Sequence, residues 1–119
     1  MKLSPDKLLT RVRTLCLSYP ESVETSSWGH PNFCAGKKKK AFVTLERWEG
    51  RPSIAFRVKD AEKEKSRTGG EFFLTPYGRG QWVSLWIDKP TPEWSVIEGL
   101  IDQGYRLVAL KRMLSALEG

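Results

Sequence analysis

The sequence predicts an α+β domain in which an antiparallel sheet packs one apolar face against a helix at the N-terminus and helices at the C-terminus. Apolar residues recur at three- and four-residue spacing near both ends of the chain, whereas the middle is made of β-prone runs punctuated by glycine, proline and lysine. The length of 119 residues matches a single domain over residues 1–119.

Ser4 is placed to cap a helix that opens with Pro5, because a serine oxygen accepts an orphaned amide hydrogen bond and proline has no amide hydrogen to leave unpaired. Leu8, Val12, Leu15 and Tyr19, flanked by Leu9 and Cys16, make one apolar stripe that Pro20 closes, so the first helix is expected over residues 5–19. Residues 21–35 hold no sustained periodicity and read as short strands or as a structured loop. Gly36 and the lysines at 37–40 separate Phe33-Cys34-Ala35 from Ala41-Phe42-Val43-Thr44-Leu45, which predicts a hairpin with the lysines at its tip. A second hairpin is expected at Glu49-Gly50-Arg51-Pro52, leading into a strand whose Ile54, Phe56 and Val58 share one face.

Residues 59–67 favour a helix but carry almost no apolar stripe, so a short solvated helix is expected before Gly69-Gly70. Phe72-Phe73-Leu74 and the run from Trp82 to Ile87 bracket a turn at residues 75–80 and form a third hairpin. Thr91 is placed to cap a helix from Pro92, with Trp94, Ile97, Leu100 and Ile101 on one side and Gly104 as its terminator. A last helix follows, striped by Leu107, Leu110, Met113, Leu114 and Leu117. The second face of the sheet is expected to meet solvent and to display Thr44, Arg57 and Ser84.

Twenty Lys and Arg against fourteen Asp and Glu give a net charge of +6 and a pI near 9.5, which directs attention to polyanionic partners. No apolar run approaches the roughly 18 residues of a membrane span, and Met1-Lys2-Leu3-Ser4-Pro5-Asp6 lacks the apolar core of a secretory signal, so a cytoplasmic protein with no membrane partner is expected. Cys16, Cys34 and His30 are too few for a Cys/His metal site, and no Cys-x-x-Cys spacing occurs. Cys34 is expected as a buried thiol, and His30 as a structural residue fixing the turn at Gly29-His30-Pro31. With no nucleophile, paired carboxylates or ligand set in view, no catalytic residue, metal or cofactor is expected, and the chain reads as not an enzyme.

Lys37, Lys38, Lys39 and Lys40 are the strongest electrostatic feature, since clustered ammonium groups neutralise phosphates whatever the base sequence; the alternative is a solvated turn. Lysine acts as a point charge and reads bases poorly, so sequence-specific contact is not expected. Arg79, between Gly78 and Gly80, is placed to present a guanidinium to phosphate, with Tyr77 and Trp82 either stacking on bases or filling a core. Arg106, Lys111 and Arg112 either extend the basic patch or serve the ends of their helices. Five tryptophans exceed the needs of a small core, which keeps open a protein-interaction or small-ligand role for an aromatic sheet face.

Three separated segments, Trp28-Gly29-His30-Pro31-Asn32-Phe33, Pro76-Tyr77-Gly78-Arg79-Gly80-Gln81-Trp82-Val83 and Tyr105-Arg106-Leu107-Val108-Ala109-Leu110-Lys111-Arg112, resemble the MmcQ/YjbR proteins of bacteria in wording and order. The resemblance covers nearly the whole chain. It implies a YjbR/CyaY-like fold, a twisted antiparallel sheet with an N-terminal helix and C-terminal helices in a double-wing arrangement, and with it DNA binding inferred from fold analogy. The chain departs from the family pattern at Leu110, where many relatives have proline, and at Gly104, where serine is frequent. An iron-binding role of the frataxin type is not expected, because residues 1–19 carry Lys2, Lys7, Arg11 and Arg13 against Asp6 alone. The expectation is therefore a monomeric DNA-binding module that contacts phosphates through Lys37, Lys38, Lys39, Lys40, Arg79, Lys111 and Arg112, with a protein partner as the alternative.

Overall fold

A computed structural model describes residues 4–119, so the reading of residues 1–3 lies outside the described residues. The elements are α1 (Pro5–Ser18), β1 (Val23–Ser27), β2 (His30–Ala35), β3 (Lys40–Trp48), β4 (Arg51–Arg57), α2 (Ala61–Lys65), β5 (Phe72–Leu74), β6 (Trp82–Trp86), α3 (Trp94–Val108) and α4 (Lys111–Glu118). Six antiparallel strands form one sheet in the order β1-β2-β3-β4-β6-β5, with β6 inserted between β4 and β5. The expected α+β class and the N-terminal and C-terminal helices are all present.

Alternation sets the two faces. The cross-strand row Phe33, Val43, Phe56, Val83 and the row Leu45, Ile54, Leu85 lie on the face covered by helices. They pack with Leu8, Val12 and Cys16 of α1 and with Ile97, Leu100, Ile101 and Tyr105 of α3. The register slips between Phe33, opposite Val43, and Cys34, opposite Ala41, so Phe42 is the extra residue of a β-bulge and both Phe42 and Val43 are buried. Phe42 meets the edges of Tyr19 and Tyr105, whose own rings lie 4.5 Å apart. The Tyr105 hydroxyl donates to the Pro20 carbonyl at 2.7 Å, tying the end of α1 to α3.

Several local expectations need correction. Residues 21–35 take the short-strand reading, as a strand pair turned by Trp28 and Gly29 at φ 54° and 77°, but the backbone makes this turn rather than the His30 side chain. The third helix starts at Trp94, not Pro92, and Thr91 is buried with its hydroxyl unpartnered instead of capping it. Gly104 does not end that helix. A Cβ at this position would lie 2.9 Å from the Phe42 carbonyl oxygen and 3.0 Å from that of Arg57, so the glycine lets α3 rest on the backbone of β3 and β4. The helix runs on to Val108, which takes Leu107 out of the final stripe and leaves it 47% exposed. α2 is docked rather than solvated: Ala61 and Glu64 are buried, and the Ala61 amide donates to the Gly80 carbonyl.

The second face is also closed, against expectation. Thr44, Ala55 and Ser84 form a small-residue row that is at most 7% exposed, because residues 75–81 fold back over it. Thr75 and Ser84 hydroxyls lie 2.7 Å apart, and the Tyr77 hydroxyl donates to Glu46 Oε2 at 2.6 Å. Phe73 stacks on Trp86 beside them. Among the described residues no helix is long and apolar enough to cross a membrane.

Two glycines of α3 give opposite predictions. Gly104→Ala forces a methyl group against two backbone carbonyls and is expected to destabilise by about 1–3 kcal/mol. Gly99 is exposed with nothing within 4 Å of an added Cβ, so Gly99→Ala is expected to stabilise by roughly 0.5–1 kcal/mol. Urea titrations of the two variants check the sign.

Candidate nucleic-acid interface

Strand register decides which loops share an end of the sheet. Arg57 pairs with Trp82, so the end of β4, the start of β6, the loop at residues 75–81 and the β2–β3 turn at residues 36–39 all lie at one end. Trp28-Gly29, Glu49-Gly50 and Asp88 lie at the other. The lysine turn is anchored at its base. Gly36 sits at φ 88°, and a Cβ there would collide with the Val108 carbonyl, so only glycine allows the turn to press on the end of α3. The Lys39 amide closes the turn by donating to Gly36 at 3.2 Å. Lys37, Lys38, Lys39 and Lys40 are exposed, and among the described residues none of them enters an ion pair.

Arg79 occupies the tip of the second loop at φ 48°, flanked by Gly78 and Gly80, and shares a shallow hollow with Tyr77 and Trp82. Trp82 is 7% exposed and is a core residue of the closed second face, while Tyr77 is 40% exposed. Lys111 is exposed at the start of α4, three residues beyond Val108. Arg112 is already engaged: its Nε and Nη2 donate to both oxygens of Glu21 at 2.9 and 2.7 Å, a pairing that holds the Glu21 carboxyl below its ordinary range. Arg106 is likewise taken by Asp102 at 2.8 Å and Glu118 at 3.3 Å. The structure thus brings the lysine turn and the Arg79 loop to one rim with Lys111 near it, and leaves Arg112 half neutralised.

Two cations of this rim escaped the sequence reading as site residues. Arg57 ends β4 with its Nε donating to the Ala41 carbonyl at 2.7 Å and its guanidinium carbon 4.8 Å from the centre of the Trp82 ring. Burial pulls its pKa below the ordinary arginine value. Lys59 follows, fixed by its amide donating to Gln103 Oε1 at 2.9 Å. The available signal was that Arg57 falls out of phase with Ile54, Phe56 and Val58, which marks it as facing something other than the main core. The aromatic reading finds less: among the described residues Trp28, 97% exposed, is the only tryptophan more than half-exposed, and it stands at the opposite end from the lysines.

What distinguishes this α+β domain is a rim of unpaired cations at one end of its sheet, with both sheet faces occupied by its own side chains. The sequence model of the YjbR family matches residues 17–107, and the chain belongs to that family. The matched segment holds all six strands and both loops of the rim, and it stops before Lys111 and Arg112. No curated protein matches the chain.

Buried hydroxyls and thiols give the fold a pH signature. Burial, with Asp102 beside Tyr19 and Glu46 bonded to Tyr77, raises both tyrosines above their ordinary value of 10.0, and burial raises the Cys16 thiol above 9.0. A group whose pKa is higher in the folded than in the unfolded state contributes stability that is complete below the unfolded value and lost as pH rises past it. The urea midpoint is therefore expected to hold between about pH 7 and 8.5 and to fall above about pH 9–10. Neither Cys16 nor Cys34 is expected to react with a thiol reagent until the chain is unfolded, when both should react.

Proposed function

We propose that this protein is a non-enzymatic DNA-binding module that acts as a cytoplasmic monomer and contacts the phosphate backbone through the rim. The observation that carries this reading is the concentration of exposed lysines without carboxylate partners on an anchored turn. Lys37, Lys38, Lys39 and Lys40 form one projection and the loop bearing Arg79 a second, which act as two wings, with Lys111 beside them. Ammonium groups on a turn neutralise phosphates and release counterions without reading bases, so the binding is independent of sequence. Arg112 contributes less, since Glu21 already holds its guanidinium. An aromatic interaction surface is the second reading, and Trp28 alone supports it, because Tyr77 and Trp82 close the sheet face on which it would have been built.

Fluorescence anisotropy with labelled duplex and single-stranded DNA over a salt series tests the proposal. Replacing Lys37, Lys38, Lys39 and Lys40 by alanine should weaken binding and reduce the slope of log K against log salt by about 3–4 for duplex DNA, close to one for each phosphate that a lysine no longer neutralises. No binding at low salt overturns the reading and moves attention to a partner for Trp28.

A further inference from the structure

We propose that the cavity between the ends of β3 and β4 and the last turn of α3 is a seat for one phosphoryl group, held by Lys40, Arg57 and Lys59. The cavity has a volume of about 240 Å³, and its other side chains are Gln81, Leu107, Val108 and the neighbouring Val58. No carboxylate lines it. A neighbouring groove shares Lys59 and Leu107 but adds Asp60 and Glu64 to Lys63 and Arg106, so the unbalanced positive charge is concentrated in the smaller cavity.

Arg57 is the centre of the argument. Arg13, Arg51, Arg67, Arg106 and Arg112 each place a guanidinium nitrogen 2.7–2.9 Å from a carboxylate oxygen, while Arg57, the half-buried one in this cavity, faces no carboxylate. A cation held partly out of water without a counter-ion is costly, and a well-placed, hydrogen-bonded anion offsets part of that cost. Its position is already set by the Ala41 carbonyl and by the Trp82 ring, which Gly78 packs against so tightly that no side chain fits there. Those contacts use Nε and one face of the guanidinium, leaving the Nη groups for a ligand.

Three cations, Lys40 at the start of β3 and Arg57 and Lys59 at and just beyond the end of β4, match an anion of more than one charge. A phosphate monoester carries about −1.5 to −2 and three acceptor oxygens, so it neutralises more of this charge than the single charge of a carboxylate or a phosphodiester. Leu107, nearly half exposed, and Val108 give the organic part of the ligand an apolar wall. The phosphate monoester comes either from the phosphorylated end of a nucleic-acid strand or from a free nucleotide-like molecule, and in the first case the seat rests on the DNA-binding reading above.

The test records ¹H–¹⁵N spectra of the full chain with inorganic phosphate, adenosine monophosphate or a short 5′-phosphorylated single-stranded oligonucleotide, alongside sodium chloride at matched ionic strength. Phosphate is expected to move the Arg57 Nε–H and Lys59 amide signals saturably while chloride does not. R57Q should abolish the response, and K59Q, at an exposed side chain that does not hold the fold, should weaken it roughly tenfold, as expected for one charge-assisted hydrogen bond. K89Q, at the opposite end, should leave it unchanged. If R57Q fails to fold, K59Q carries the test. An oligonucleotide that binds equally to wild type and K59Q without moving the Arg57 signal overturns the seat and leaves the DNA reading standing. Saturable binding of phosphate and adenosine monophosphate without oligonucleotide binding supports the seat for a free ligand and overturns the DNA reading. Equal movement by chloride overturns the seat.

Discussion

The depth at which α3 lies on the sheet governs the rest of the molecule. At Gly104 there is no room for a methyl group between the helix and the carbonyls of Phe42 and Arg57. That close approach brings Tyr105 onto Phe42, and the bulge at Phe42 turns its ring inward to meet it. Tyr19 completes the aromatic group, so the end of α1 is set by the same contact. It also decides where α3 ends. Val108 reaches the base of the lysine turn, where only a glycine at position 36 fits beneath its carbonyl. The basic rim and the wall of the cavity beside it are therefore consequences of how closely one helix approaches two strands.

The closed second face follows a parallel logic. Small side chains at Thr44, Ala55 and Ser84 make a shallow trough, and residues 75–81 fill it with Thr75 and Tyr77. The loop returns through Gly78, Arg79 and Gly80, all at positive φ, to bring Trp82 under Arg57. A flat sheet with its polar face in water would leave Arg57 solvated, with nothing to fix its direction. Here the loop both hides the face and holds the guanidinium half out of water, which converts a surface arginine into a positioned one.

Much of this plan was legible in the residues. Ser4 and Pro5 mark the first helix, the Ser4 hydroxyl accepts from the Lys7 amide as a cap should, and the turns at Gly36 and Gly50 punctuate the strands where expected. The misreadings share a cause. A glycine shortly after an apolar stripe is locally equivalent to a helix terminator, and only the strands beneath Gly104 reveal that it is the point where helix and sheet touch. Alternation in β3, β4 and β6 correctly separates the two faces, but it carries no information about a distant loop that covers one of them. Within the rim, consecutive lysines are visible as a string, whereas Lys40 meets Arg57 and Lys59 only through strand register.

The division of labour between the two basic residue types explains how the lysine turn of a +6 chain keeps its charge unneutralised. Five arginines are consumed by carboxylates, in pairs that join α1 to β1, β4 to the segment after β6, α2 to the segment beyond it, the last turns of α3, and α4 to the turn between α1 and β1. Planar guanidinium groups suit that use, because two parallel hydrogen bonds fix the geometry of both partners. Such pairs cancel charge locally and add little field. The lysines of the β2–β3 turn have no such partners, and their hydrated point charges remain additive at the end of the sheet. Arg57 stands between the two groups: rigid like the paired arginines and uncompensated like the lysines. A diffuse field from the turn attracts an anion, and a fixed guanidinium with a lysine on either side gives it a defined place to stop.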